Sequence, residues 1–363
     1  TSPVEDEISG EAHTAQGGVA SPVAPPIQHY AYVANQTDDA LSIYKIDTTT
    51  GKLEANGSVS MLLGTLPTLV AVDPSNRFAY VANSGSHNVS AYLINTMTGA
   101  LTPIGAPVGA GLNPTSLKVD PTGRFLYVAN QHGGVSAFRI DSNTGVLTSI
   151  GPDVAAGVMP LSVAVEQTGR FVYVTSGDPV ASANNIHAFS IDAITGVLTP
   201  VGVLVPAPAI PVNITVDPSG KFVYVASGVS SSVTAFAINN TTGALTLVGT
   251  LPAGGSAPRA VAVESSGRFA YVVNVGSNDV SIFSIDAITG TLSPIPVNPV
   301  VAAPGTDARF LTVDATGKFV YVAYFNSPHV STFSINTVTG ELTHLGTEPT
   351  GTGSVGITVT NAL

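Results

Sequence analysis

Asp120-Pro-Thr-Gly-Arg-Phe-Leu-Tyr-Val-Ala-Asn130 is the stretch on which the fold turns. Pro121 presets φ for a turn and Gly123 accepts positive φ, so the chain reverses there. Phe125 to Ala129 is a short apolar run rich in aromatic and branched side chains, which predicts a strand. Upstream, Pro114 to Asp120 reads as a first strand of the same kind. Downstream, Val135 to Ile140 is a third strand, Asp141-Ser-Asn-Thr-Gly145 a tight hairpin turn, and Val146 to Ile150 a fourth strand. Helix signatures are missing throughout.

The unit recurs. Tyr-Val appears at Tyr32, Tyr80, Tyr127, Tyr173, Tyr224, Tyr271 and Tyr321, with spacings of 48, 47, 46, 51, 47 and 50 residues. The Asx-x-x-Thr-Gly turn ends at Gly51, Gly99, Gly145, Gly196, Gly243, Gly290 and Gly340. A period near 48 with four strands per unit predicts an all-β, seven-bladed β-propeller of four-stranded antiparallel blades. Its strands are apolar on both faces because each sheet is sandwiched between its neighbours. The first Tyr-Val repeat lacks a first strand, whereas Ser354-Val-Gly-Ile-Thr-Val359 is an orphan first strand at the other end. The two should pair, completing blade 1 and closing the ring without an exposed edge. This divides the chain into a tail, residues 1–28, and a single propeller, residues 29–363.

Composition agrees with a packed domain and excludes several function classes. Of the 363 residues, 44% are apolar and only 10% charged, against about a quarter in an ordinary protein. Twelve cations against 23 acids give a net charge of −11, which argues against a nucleic-acid partner. Without Cys there is no disulfide, thiol nucleophile or thiolate metal site. The charge-free run Ala193 to Val216 is interrupted by Pro200, Pro206, Pro208 and Pro211, so it cannot be a membrane-spanning helix. The seven His fall in separate elements, and no metal-ligand, phosphate-loop or nucleophile-elbow motif occurs, so no metal or other cofactor is expected. Thr1 is not a Met, and the simplest reading is a mature chain that is secreted, periplasmic or at the cell surface.

Residues present in every repeat are explained by the fold; those left over are informative. Six of the 12 cations are the Arg or Lys of the turn before each Tyr-Val strand. Of 11 Tyr and 13 Phe, only Phe310, Tyr324 and Phe325 stand outside three repeat positions, and all three belong to blade 7. Blades 4 and 7 carry insertions, Gly177 to Asn185 and Pro296 to Ala308, in loops that share the top face. Arg259 and Arg309 occupy one repeat position, at the start of the first strands of blades 6 and 7, where other blades have Thr68, Thr115, Leu161, Val212 and Val355. First strands line the channel, so the two guanidinium groups should converge at its top mouth and hold a carboxylate or phosphate by forked hydrogen bonds. Alternatively they satisfy loop carbonyls, Asp307 and Asp279. Tyr324 and Phe325 are a candidate stacking platform for sugar, or simply filler beneath the insertion.

The run Asp-Pro-x-Gly-Arg-Phe-x-Tyr-Val-Ala-Asn, at Asp120 to Asn130 and approximately at Asp73 to Asn83, resembles the repeat of YVTN-type and lactonase-like seven-bladed propellers. The resemblance covers about residues 29–363. It implies a relation to enzymes such as 6-phosphogluconolactonases and carboxymuconate lactonising enzymes, whose site at the top mouth uses Arg with His, Glu or Asp. Typical members have Pro-His at a first-strand start, then Asp-Leu-Gly; here the residues are Pro211-Val212 and Ser227-Gly228. The motif Gly-Pro-Arg-His reads Ala257-Pro258-Arg259-Ala260, the following family Glu falls at Val275, and Pro-Arg-x-Phe reads Ala308-Arg309-Phe310-Leu311. Both Arg are kept, while every candidate proton-transfer group is apolar or a small hydroxyl.

Lactone opening uses a base or an activated water, and two Arg supply only oxyanion stabilisation. On that ground the sequence favours a non-catalytic, extracellular or cell-surface propeller that binds a surface ligand or assembles with itself. Glu5, Asp6, Glu7 and Glu11, followed by a Pro/Ala/Gly-rich stretch, make residues 1–28 a candidate docking element for a homopolymer. The alternative is a lactone hydrolase working through Arg259 and Arg309, with Asp178, Asp279 or Asp307 reaching them from the loops.

Overall fold

A computed structural model of the chain describes residues 28–61, 64–178, 184–295, 300–301 and 305–361. The N-terminal tail, apart from Gln28, lies outside the described residues, as do parts of both insertions, and so does the docking role expected of the tail. The remainder is a ring of seven antiparallel sheets. We number the blades by their Tyr-Val strand, from Tyr32 in blade 1 to Tyr321 in blade 7. Blades 2, 4 and 6 gain a two-residue strand where the outer strand resumes after a break: Val108–Gly109, Val205–Pro206 and Val300–Val301. Among the described residues no helix is long and apolar enough to cross a membrane.

Ser354–Val359 completes blade 1 as expected, running antiparallel to His29–Asn35 with Tyr32 opposite Thr358. The Tyr-Val strands are buried along their full length, as in Phe125–Asn130, because both faces pack on neighbouring blades. The core is accordingly divided into seven clusters lying between blades.

Each interface is fastened by the same clasp. The Tyr hydroxyl of one blade donates to the carbonyl of the turn Gly in the next: Tyr32 to Gly99, Tyr80 to Gly145, Tyr127 to Gly196, and so on to Tyr321, which reaches Gly51 at 3.0 Å and closes the circle. Turn Gly residues are therefore tertiary as well as local features. Gly196 has φ +77°, and a Cβ there would sit 2.4 Å from the Phe125 ring. The acid of the first turn is a second repeated device. Buried Asp120 accepts the amides of Arg124 and Phe125, both at 2.7 Å, and caps the strand that Phe125 begins. The following cation lies over the Phe ring, as Arg124 over Phe125 at 5.3 Å. A third device links the upper ends of second and third strands through side chains, for example Asn130 Nδ2 to Ser136 Oγ at 2.8 Å.

Two predictions follow from the clasp. Tyr127→Phe leaves the Gly196 carbonyl unpaired in a dry interface and should destabilise the fold by about 1–3 kcal/mol in denaturant unfolding. Gly196→Ala should cost more, because it adds both a clash and left-handed strain. Burial raises the pKa of the clasping tyrosines above their ordinary value. The native state then holds those protons after the unfolded chain has released them. Stability is full below about pH 10 and falls as pH climbs from there towards the raised values, which unfolding at pH 9 and pH 11 should show.

Candidate functional site at the channel mouth

Arg259 and Arg309 are placed by a repeated turn. The residue before each of five inner strands has positive φ without being Gly, including Ala257 at 50° and Asp307 at 64°. A backbone bond pins each turn to the end of the second strand: Val275 N to Ala257 O at 3.0 Å, and Phe325 N to Asp307 O at 2.9 Å. Asp tolerates the left-handed conformation better than most residues. At Asp307 that tolerance is combined with a carboxylate. Each arginine thus stands two residues from a locked corner, on an inner strand that faces the channel.

Both line one cavity of about 250 Å³ at the head of the channel, together with the residue at the same repeat position in the other five blades. Arg309 is held on two sides. Its Nε and Nη2 donate to Asp307 Oδ1 and Oδ2 at 2.8 and 2.9 Å, and its Cζ lies 4.2 Å from the Phe325 ring centre. Asn326 Nδ2 also donates to Asp307, at 3.3 Å. The side chains of Arg309 and Asp307 are 30% and 13% exposed, so this pair is fixed rather than solvated. Arg259 differs. Its guanidinium opens onto the cavity and has no hydrogen bond or ion pair among the described residues. The surrounding protein lowers its pKa, the Arg309 charge lowers it further, and Asp307 opposes both. An unpaired guanidinium beside a second one creates a field that only an anion or an oxyanion compensates.

The other sequence candidates separate. Phe310 borders the cavity. Tyr324 does not: it is fully buried, its hydroxyl donates to Ser331 Oγ at 3.0 Å, and burial pushes its pKa up to about 12. It therefore offers no face for sugar stacking. Its aromatic ring takes the place that Asn130 fills in blade 3, and it packs beneath Gly305. Phe325 is half-buried against Arg309 and serves as that arginine's platform. Asp279 is buried and accepts from Asn274 Nδ2 at 2.7 Å, in the body of blade 6. Asp178 is buried as well, and neither residue borders the mouth. No cluster of metal ligands occurs among the described residues.

Sequence reasoning missed the neutral part of the wall. Asn213 bridges inner strands, accepting Val261 N at 2.9 Å and donating to Ser162 at 3.3 Å. Gln36, Asn113 and Gln131 add amides at the rim. The signal was available, since Asn213 is an amide at a repeat position otherwise held by small or apolar residues.

A family model described as a lactonase, seven-bladed β-propeller, matches residues 13–112, 106–193 and 183–306. Among solved structures, a periplasmic gluconolactonase of Pseudomonas aeruginosa superposes with a TM-score of 0.78 at 21% identity, over 92% of this chain and 99% of that one. Candidate 6-phosphogluconolactonases of Bacteroides uniformis and Bacteroides fragilis both give a TM-score of 0.77, at 20% and 19% identity; the alignments cover 92% and 93% of this chain and 99% of each of theirs. No curated protein sequence matches the chain. At such identities the superpositions establish the shared fold. Together with the family match they overturn the expectation of a structural, self-assembling propeller. That expectation treated the missing proton-transfer groups as decisive and gave too little weight to the retained arginine pair. The match extends over most of the seven repeats, and the chain belongs to the lactonase family of seven-bladed β-propellers.

Proposed function

We propose that the protein is a lactone hydrolase acting at the arginine mouth. The observation that carries this reading is the division of labour between two equivalent arginines in one cavity: Arg309 is fixed by Asp307 and Phe325, whereas Arg259 is unpaired. A lactone carbonyl directed at Arg259 finds a donor whose stabilisation grows as its oxygen becomes an oxyanion. Asp307 acts as a positioning residue, keeping the second guanidinium at a set distance and orientation. The amides of Gln36, Asn113 and Gln131 suit the hydroxyls of a polar lactone ring. Water adds to the carbonyl carbon, the ring C–O bond breaks, and the leaving alkoxide takes up a proton, giving a hydroxy acid. A location outside the cytoplasm, like that of the Pseudomonas gluconolactonase, is part of this reading.

Among the described residues the cavity wall contains no carboxylate or imidazole, only the two arginines as ionisable groups. Attack is then by hydroxide, the deprotonated form of that water. The initial rate of gluconolactone hydrolysis, corrected for the spontaneous reaction, should rise about tenfold per pH unit between pH 6 and 9. A plateau in that range would reveal a titrating base and refute the base-free mechanism. Arg259→Met should lower kcat about 10²-fold with little change in KM, since the lost interaction belongs to the transition state. Full activity in a folded Arg259→Met protein would refute the assignment of the site. Asp307→Asn should lower kcat less, through a displaced Arg309.

A further inference from the structure

Beneath the mouth the channel holds a second cavity of about 230 Å³. The two meet at a waist of Leu69, Ser116, Ser162, Asn213 and Phe310, which border both. Lys118 lines the lower one and is the only charged residue in its wall among the described residues. It occupies the inner-strand position opposite the clasping tyrosine, pairing with Tyr127. In the other six blades that position is Ala71, Ala164, Ala262, Thr215, Thr312 or Thr358. A ring built from Ala and Thr thus contains one lysine, and nothing in the repeat requires it.

The Lys118 ammonium has no hydrogen bond or ion pair among the described residues. It is open to the water column of the channel yet enclosed by protein on all sides, and that enclosure pushes its pKa down. Channel water solvates the ammonium, but no protein group neutralises its charge. The charge is balanced in two ways: the amine sheds its proton, or an anion joins it. The surroundings favour the second. Three threonine hydroxyls lie at the same level of the ring, and Gln167 and Asn361 border the same cavity. The threonine hydroxyls and Gln167 can turn a hydrogen-bond donor inward without rearranging the backbone, whereas the Asn361 amide already donates to Asp73 O and Asn76 Oδ1. Among the described residues the wall offers no carboxylate to compete.

We propose that the lower channel is a binding site for a small oxyanion, a carboxylate or an inorganic anion, held by the Lys118 ammonium with hydroxyl donors from the Thr215, Thr312 and Thr358 level. It is separate from the arginine mouth and does not depend on the lactonase reading.

The experiment uses the full chain, with sulfate and formate as the inorganic and carboxylate probes. Calorimetric titration and anomalous diffraction from selenate-soaked crystals are performed on the native protein, on Arg259→Met/Arg309→Met, and on Lys118→Met. A site at Lys118 gives selenate density in the lower cavity, binding that persists in the double arginine variant, and at least tenfold weaker binding in Lys118→Met. Should Lys118→Met misfold, Lys118→Arg, which keeps the charge, is expected to retain binding. Tighter sulfate than formate identifies the inorganic class, and the reverse the carboxylate class. Density at the arginines alone, equal binding by chloride, or a Lys118 amine that NMR titration finds already neutral at pH 7 would each overturn the proposal.

Discussion

One hydrogen bond, repeated seven times, governs this molecule: a buried tyrosine hydroxyl donating to the carbonyl of a glycine in the neighbouring blade. Blades in a propeller share no backbone hydrogen bonds with their neighbours across the packed faces. Their spacing and rotation must be fixed by side chains. Apolar contacts supply most of the attraction but are tolerant of sliding. The clasp is directional, and its acceptor lies on a turn whose glycine is pressed against a phenylalanine of the preceding blade. Sliding by even a small distance would strand a phenol and a carbonyl in a dry interface. Distances between inner strands are set as a result, and with them the geometry of everything in the channel.

The mouth inherits that rigidity. Arg259 and Arg309 need no mobile loop to bring them together, because equivalent positions on adjacent inner strands are neighbours by construction. What distinguishes them is local. Asp307 combines a left-handed backbone with a carboxylate that holds the arginine two residues on. Ala257 forms the same corner without a side chain to spend on Arg259. Two substitutions between repeats, Asp307 for Ala257 and Phe325 for Val275, therefore separate a held guanidinium from one available to a ligand.

The architecture was legible because each blade repeats the same alternation of apolar run, turn residue and glycine, and because the orphan Ser354–Val359 matched a gap at the start. The clasp was not, although both partners were plain in the sequence. Tyr127 and Gly196 are 69 residues apart, and no local pattern links them. The positions of Arg259 and Arg309 could be read by aligning repeats. The contrast between them could not, since it depends on which way Asp307 turns. Tyr324 left two readings open, a stacking platform or filler beneath the insertion, and only its place in the fold separates them: it is buried where Asn130 sits in blade 3, packed beneath Gly305. Lys118 stands at a repeat position otherwise held by Ala or Thr, but that this position faces a lower cavity of the channel follows only from the closed ring.

Closure through Ser354–Val359 has a temporal consequence. Residues that pair in blade 1 are separated by more than three hundred positions, as in Tyr32 opposite Thr358. During synthesis, blade 1 stays one strand short until the chain as far as Val359 has left the ribosome. For that period the inner edge of Tyr30 to Asn35 presents free amides and carbonyls, and the seam between blades 1 and 7 is unsealed. The circle forms all at once or not at all. A nascent chain of this kind is exposed to mispairing for longer than a linear stack of the same length, whose first units are finished while the last are still being made.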